Sequence, residues 1–316
     1  MTYASGSTIL AADYNGLVGT NPNTASGTLN TVWATGGTTA GYGQTALATV
    51  STGDSILASS WANLVNRTAN AATHQGTSIT SVTAPSTGGV ITYLSAIPTN
   101  LTTIYSSRLN AATQGTTTSN TVTTASTWSS VATFTQTVTF ANGDAARYFF
   151  NSGGQLAMTC SHPAGTGINL LLNNLASNVG TVVLSAMSSG TATIGGTSYN
   201  GVTRIGGGGN APTIGTNSGY YAWSTSNANV YYQTASTGPS GYLSTNINIF
   251  AKTNGTVGSN GDVGNVITIT TVWDEIPNGL TVSSGSVTTL TVRPPETTNI
   301  ANTWGTITLA GSVVVS

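Results

Sequence analysis

The chain has 316 residues, of which only 6 are Lys or Arg and 7 are Asp or Glu, for a net charge of -1; an ordinary soluble protein is roughly a quarter charged. That scarcity starves most enzyme mechanisms and excludes a nucleic-acid surface, which needs clustered cations, because Arg67, Arg108, Arg147, Arg204, Lys252 and Arg293 are scattered. A folded surface of about 12,000 Å² would carry about one charge per 900 Å², too few to hold copies apart, so the composition points to a subunit of an assembly.

With 38% apolar or aromatic residues the chain is expected to fold rather than stay disordered, as one large or two ordinary domains. The first residues show no basic segment followed by an apolar run, and no stretch approaches the roughly 18 apolar residues of a membrane span. The single Cys160 forbids an internal disulfide. Synthesis in a cytoplasm without export or membrane insertion is the expectation.

Near the N-terminus two segments repeat at an offset of 47 residues: Ile9-Leu10-Ala11 matches Ile56-Leu57-Ala58, Tyr14 matches Trp61, and Leu17-Val18 matches Leu64-Val65, with Gly6 and Gly53 in register before them. In the second copy Trp61, Leu64, Val65, Ala69 and Ala72 fall on one helix face, whereas Gly16 and Gly19 weaken the first. A looser third copy begins at Gly88-Gly89-Val90-Ile91 and reaches a helix opened by Pro98, with Leu101, Ile104, Tyr105 and Leu109 on one face. The tags His74-Gln75-Gly76-Thr77 and Thr113-Gln114-Gly115-Thr116 each place a Gly to close a helix. Residues 1–116 are therefore expected to form a helical-repeat attachment region, docking through Tyr14, Leu17, Trp61, Leu64, Val65, Leu101 and Ile104.

Residues 117–127 lack both a helical period and a bulky anchor, and read as a linker. Beyond Trp128 the period becomes two: Phe134, Gln136, Val138 and Phe140 alternate with other residues, mostly threonine, as in a half-buried strand, and a turn is expected at Asn142-Gly143-Asp144. Further strands are expected at Gln155 to Cys160, Thr181 to Ala186, Tyr220 to Ser224, Asn229 to Thr234, Leu243 to Lys252, Val263 to Trp273, Gly279 to Ser283, Ser286 to Arg293 and Trp304 to Val315. One helix, through Ile168, Leu171, Leu172 and Leu175, interrupts them. The expected fold is mainly β with a small α-helical N-terminal part: short helical repeats followed by an antiparallel, jelly-roll-like β-sandwich over residues 128–316, either whole or split near 235 into two β-subdomains.

Hydrolysis of a glycan needs two carboxyl groups roughly 5 to 10 Å apart. The close pair Asp274-Glu275 should point to opposite faces of a strand and reads as a solvated strand end before Pro277. His74 and His162 lack a metal-ligand spacing; His74 suits the free carbonyls of a helix end, and His162 marks a strand exit. Cys160 follows Leu156 and Met158 at period two and should point into the core. Gly206 to Gly209 lacks the ending of a phosphate loop, and Asn260-Gly261-Asp262 offers one carboxylate where calcium collects several. No catalytic residue, metal or cofactor is expected. Tyr220, Tyr221, Trp223, Tyr231 and Tyr232 remain as recognition candidates, because aromatics serve both sugar faces and partner subunits. Alternation sends one of each neighbouring pair inward, which favours core or subunit interface over a glycan pocket.

The run from Ala146 to Leu156, ARYFFNSGGQL, resembles virion structural proteins of tailed phages, especially contractile-tailed cyanophages. In those proteins a close RYFFNSGGQ run follows a Thr-rich strand and precedes a Ser-His-Pro turn, a short helix and a Gly-Thr strand, the order found here. Their N-terminal pattern I-x-A-x-x-W-N-x-L is matched by Ile56, Ala58, Trp61 and Leu64, with Ala62 in place of Asn, and the tag from His74 to Gly76 fits as well. The resemblance spans most of residues 1 to about 235. It implies a non-enzymatic virion part, foremost a tail fibre or baseplate-associated protein that docks through its N-terminal region and presents its β-domain to a partner or the host surface. A neck or capsid decoration protein is the alternative in the same class, and a polysaccharide depolymerase the alternative among enzymes. The partners expected are copies of the chain itself, a trimer being one form, together with other virion proteins and a host-surface glycan.

Overall fold

Alternation of threonine with bulky apolar residues builds three of the long strands of the molecule. The computed structural model describes residues 10–316 apart from Pro22, Thr24, Ser55, 88–94, 188–189, 216–217, 239–240 and Asn278. Four helices come first: α1 (Ala11–Val18), α2 (Leu29–Trp33), α3 (Ala58–Gln75) and α4 (Ala96–Ser106). Then follow β1 (Thr118–Thr123), β2 (Val131–Thr139), α5 (Gly143–Asn151), β3 (Gln155–Ser161), α6 (Ile168–Val179), β4 (Thr181–Leu184), β5 (Ala192–Ile194), β6 (Thr197–Tyr199), β7 (Val202–Ile205) and β8 (Thr213–Ile214). The last strands are β9 (Ala228–Thr234), β10 (Asn246–Thr253), β11 (Val266–Asp274), β12 (Val287–Arg293) and β13 (Thr308–Val315).

The strands form a β-sandwich with sheet orders β1-β12-β3-β4-β7 and β13-β2-β11-β10-β9-β8, all neighbours antiparallel. A separate hairpin, β5–β6, turns on Gly195-Gly196, both at positive φ as a two-residue hairpin loop requires. Ala132, Phe134, Gln136 and Val138 of β2 lie buried between the sheets, beside Ile267, Ile269, Thr271 and Trp273 of β11. Gln136 is the polar member of its row. Its Nε2 donates to the backbone and side-chain oxygens of Asn120 at 2.8 and 3.0 Å, and its Oε1 accepts from Thr288 Oγ1 at 3.1 Å, which ties β2 to β1 and β12 of the facing sheet. The outward row of β2, Thr133, Thr135, Thr137 and Thr139, pairs with Val272, Thr270, Thr268 and Val266 to make a half-buried, uncharged face.

The late strands insert among the early ones: β12 lies between β1 and β3, and β11 and β13 flank β2. Residues beyond 235 thus complete the same sandwich, and no split occurs there. The segment read as a linker holds β1, hydrogen-bonded along β12; it lacks bulky anchors because it is an edge strand whose one buried apolar side chain is Val122. The expected turn at 142–144 is a helix start: Asn142 Oδ1 accepts from Ala145 N at 2.8 Å and caps α5. Tyr220 to Ala222 forms a 3-10 turn rather than a strand, and the stretch from Gly279 to Ser283 contributes a lone bridge, Trp128 with Val282. Gly76, at φ 66°, closes α3 with Thr77 N donating to Ala72 O, whereas α4 already ends at Ser106, so Gly115 caps nothing and instead donates to Pro294 O. The start of the first repeat and the Gly88 to Ile91 start of the third lie outside the described residues.

Candidate functional site

The segment that carries the phage resemblance forms a joint. On α5, residues four apart share a face, and Arg147 and Asn151 both point at residues 35–41 of the N-terminal region. Arg147 is fully buried; its guanidinium donates to Thr35 O and Ala40 O, both at 2.9 Å, and to Asp144 Oδ1 at 3.0 and 2.8 Å. Asn151 Nδ2 donates to Gly41 O at 3.1 Å, and its Oδ1 accepts from Tyr221 OH, which also reaches Thr38 O. Gly43 packs under Tyr148 so closely that a Cβ would lie 2.4 Å from the ring. The following Ser152 accepts from His74 Nε2 at 3.0 Å, which joins the His74 tag to the same place.

The other side of α5 faces the sandwich. Phe149 meets Phe140, Phe150 and Trp304, while Phe150 stacks on Tyr220 at 4.3 Å and meets Trp223 edge-on at 6.0 Å. Tyr220 and Trp223, two of the recognition candidates, are therefore core residues; Trp223 Nε1 donates to Ser218 O. Tyr231 is likewise fully buried, its hydroxyl bonded to Gln233 and its pKa pushed up to about 12 by burial. Tyr221 is half-buried and held by its bonds to Asn151 and Thr38, so Tyr232 alone of the five lies on the outer sheet face without such a tie.

The docking residues also turn inward. Tyr14, Leu17, Trp61, Leu64, Val65, Leu101 and Ile104 are each 8% exposed or less. The repeat-equivalent Tyr14 and Trp61 pack edge to face at 5.5 Å. The apolar faces of the helices satisfy one another, so these side chains form no docking surface. What the repeats leave outside is Leu10 and Leu57, equivalent positions at the starts of α1 and α3, 58% and 60% exposed.

The titratable groups are structural in geometry. His162 accepts from Ser286 Oγ at Nδ1 and donates from Nε2 to Asn169 Oδ1, an oxygen that also accepts from Ser283 N, and burial lowers its pKa. His74 is buried with its pKa pushed down to about 4 by desolvation, so it donates as a neutral ring. The Cys160 thiol is pushed up to about 12 by burial, far from a nucleophile's range. Asp274 and Glu275 do face opposite ways, yet Glu275 is not a solvated strand end: it continues the inward row of Thr271 and Trp273, is fully buried, and takes Gly279 N at 3.0 Å, with its pKa raised chiefly by desolvation. Asp262 accepts from Ser259 N and shapes a turn. Among the described residues no three His, Cys, Asp or Glu side chains converge as metal ligands, and no helix is long and apolar enough to cross a membrane.

A cleft of about 620 Å³ opens between residues 114–116 and 294–304, lined by Gln114, Pro294, Pro295, Glu296, Asn302 and Trp304 among others. Its one carboxylate, Glu296, is held below the usual range by bonds from the Thr298 hydroxyl and amide. Sequence reading missed this cleft because its walls come from loops that have no period to read. The chain matches no protein family, no curated protein and no solved structure.

Proposed function

We propose that the chain is a non-enzymatic structural component of a tailed-phage particle, a tail fibre or baseplate-associated protein. The observation that carries this reading is the role of the segment bearing the resemblance. ARYFFNSGGQL clamps the N-terminal region to the sandwich through Arg147, Asn151 and paired aromatics, so the Arg147 guanidinium and the Asn151 amide are engaged in holding these two parts together.

The uncharged outward row of β2 with its partners Val266 to Val272 on β11 supports assembly through hydroxyl and methyl contact, which desolvates no ions. Docking passes from the buried helix faces to Leu10 and Leu57, two matched apolar contacts on the repeats, and leaves the sandwich to meet a partner or the host surface. A depolymerase would place a second carboxyl roughly 5 to 10 Å from the first, and Glu296 is the sole carboxylate lining its cleft among the described residues.

Immunogold labelling of purified particles tests the proposal. Label on the tail or baseplate is expected; label on the neck or capsid selects the decoration alternative, and particles free of the protein refute a virion role. Release of reducing sugar from host envelope by the purified protein would refute the non-enzymatic reading.

A further inference from the structure

We propose that the chain forms a dimer with a second copy of itself, in which β1 and β13 each pair with their own counterpart across one two-fold axis perpendicular to the sheets. The inference rests on sheet geometry and does not depend on the virion reading. β1 and β13 are the terminal strands of the two sheets, and each has one strand neighbour, β12 and β2 respectively. They lie on the same side of the sandwich, so close that a Cβ on Gly311 would fall 2.5 Å from both Asn120 Oδ1 and Val122 Cγ2. Five of the eight residues of β13 are exposed, Val314 at 72%.

An open strand edge is a template for pairing, and monomeric proteins guard theirs with Lys or other charges, Pro, bulges or very short strands. None of these devices is present. Residues 117–127 and 299–316 contain no charged residue and no proline, the β13 ladder runs in unbroken register with β2, and β13 has eight residues.

The occupant follows from where the two strands sit. Gly311 is at the middle of β13, and Asn120 and Val122 bracket the middle of β1, so a single axis passes near the centres of both. A two-fold axis pairs each strand antiparallel with its own copy, and both sheets then continue across the interface. A foreign peptide strand would fill one edge and leave the other open. Pairing about Ser312 opposes Leu309 with Val315 and Ala310 with Val314; pairing about Thr121 opposes Ser119 with Thr123. Both sets suit a cross-strand ladder, apolar on apolar and hydroxyl on hydroxyl. The side of the sandwich measures about 27 Å along β13 and about 20 Å in depth, about 540 Å² per partner, which clears the roughly 1,000 Å² in total that a specific interface needs.

Ser312 is exposed and sits on the proposed axis, where two like charges would face each other. Sedimentation velocity on the full chain, with far-UV circular dichroism as the folding check, should show a dimer for the wild type. S312K and S312E should each weaken dimerisation by at least tenfold while leaving the fold intact, and an equimolar mixture of the two should recover a dimer. V314K, at a site already in solvent, provides a second guard on the same edge should either variant misfold. A wild-type monomer or trimer overturns the proposal, as does a dimer indifferent to these substitutions or a mixture that fails to recover one.

Discussion

Replacing Arg147 with Met keeps an unbranched apolar stem and removes the guanidinium that clamps the N-terminal region to the sandwich. Two buried carbonyls, Thr35 O and Ala40 O, lose their guanidinium donor, and an unsatisfied buried polar group costs about 1 to 3 kcal/mol. Asp144 loses its partner but is 26% exposed and retains weak contacts from Gly261 N, so water offsets much of that loss. The sum is about 3 to 5 kcal/mol, the range for breaking a buried ion pair from one side. R147K should recover less than half, because an ammonium group cannot reach Asp144 and both carbonyls with a planar fork. The assay is urea unfolding followed by fluorescence, with hydrogen exchange at Tyr42, Gly43 and Gln44, whose amides donate to Val32, Ala34 and Trp33. Exchange at these three should accelerate more than exchange in β2 or β11. A loss under about 1 kcal/mol, or unchanged exchange at these amides, would refute the clamp.

His74 predicts acid sensitivity: its folded pKa of about 4 lies below the ordinary 6.5, so the unfolded chain takes up the proton first and stability falls as pH drops from about 6.5 to about 4. The total is about 3 kcal/mol at 1.36 kcal/mol per unit, and H74Q, which keeps a donor for Ser152 O, should flatten the slope measured by urea unfolding. N142A removes the cap of α5 and should cost about 1 kcal/mol in the same assay. L10S combined with L57S should leave the unfolding midpoint unchanged yet lower the amount of protein on purified particles, read by immunoblot; equal amounts would refute the docking role of these leucines. One ion pair, Arg147 with Asp144, is present among the described residues, so raising salt from 0.1 to 1 M should lower stability by less than about 0.5 kcal/mol through screening.

What could be read from the sequence was what had a period. Phe134, Gln136 and Val138 announced β2, and the spacing of Ile168, Leu171, Leu172 and Leu175 announced α6. The helix α5 is hidden in the sequence because Tyr148, Phe149 and Phe150 stand together and mask the spacing from Ala145 and Ala146 to Phe149 and Phe150, and Asn142-Gly143-Asp144 reads as a turn. β1 reads as a linker in the sequence because an edge strand with one buried side chain needs no alternation of bulk. The repeats were legible as helices, but their amphipathic faces could not say whether they covered another protein or one another; Tyr14 against Trp61 gives the second answer. The aromatic cluster misled for the same reason, since Tyr220 and Trp223 carry the polar edges of recognition residues while serving as the partners of Phe150.

The few charges in the chain have a shared task that composition alone could not reveal. Four of the five arginines donate to main-chain carbonyls: Arg67 to Thr45, Arg108 to Thr39 and Tyr105, Arg147 to Thr35 and Ala40, and Arg204 to Asn178 and Gly208. Three of them converge on residues 35–45, a largely buried loop bent by Gly36, Gly41 and Gly43 at positive φ. Buried backbone outside helices and sheets needs donors from elsewhere, and a guanidinium supplies several in one fork without requiring an acid beside it. None of the arginines used this way lies on β1 or β13; Arg204 lies on β7, at the opposite edge of its sheet. The same economy of charge that braces the N-terminal region therefore removes the lysines that would guard β1 and β13, so a stable joint inside the chain and an open edge outside it have a common origin in the composition.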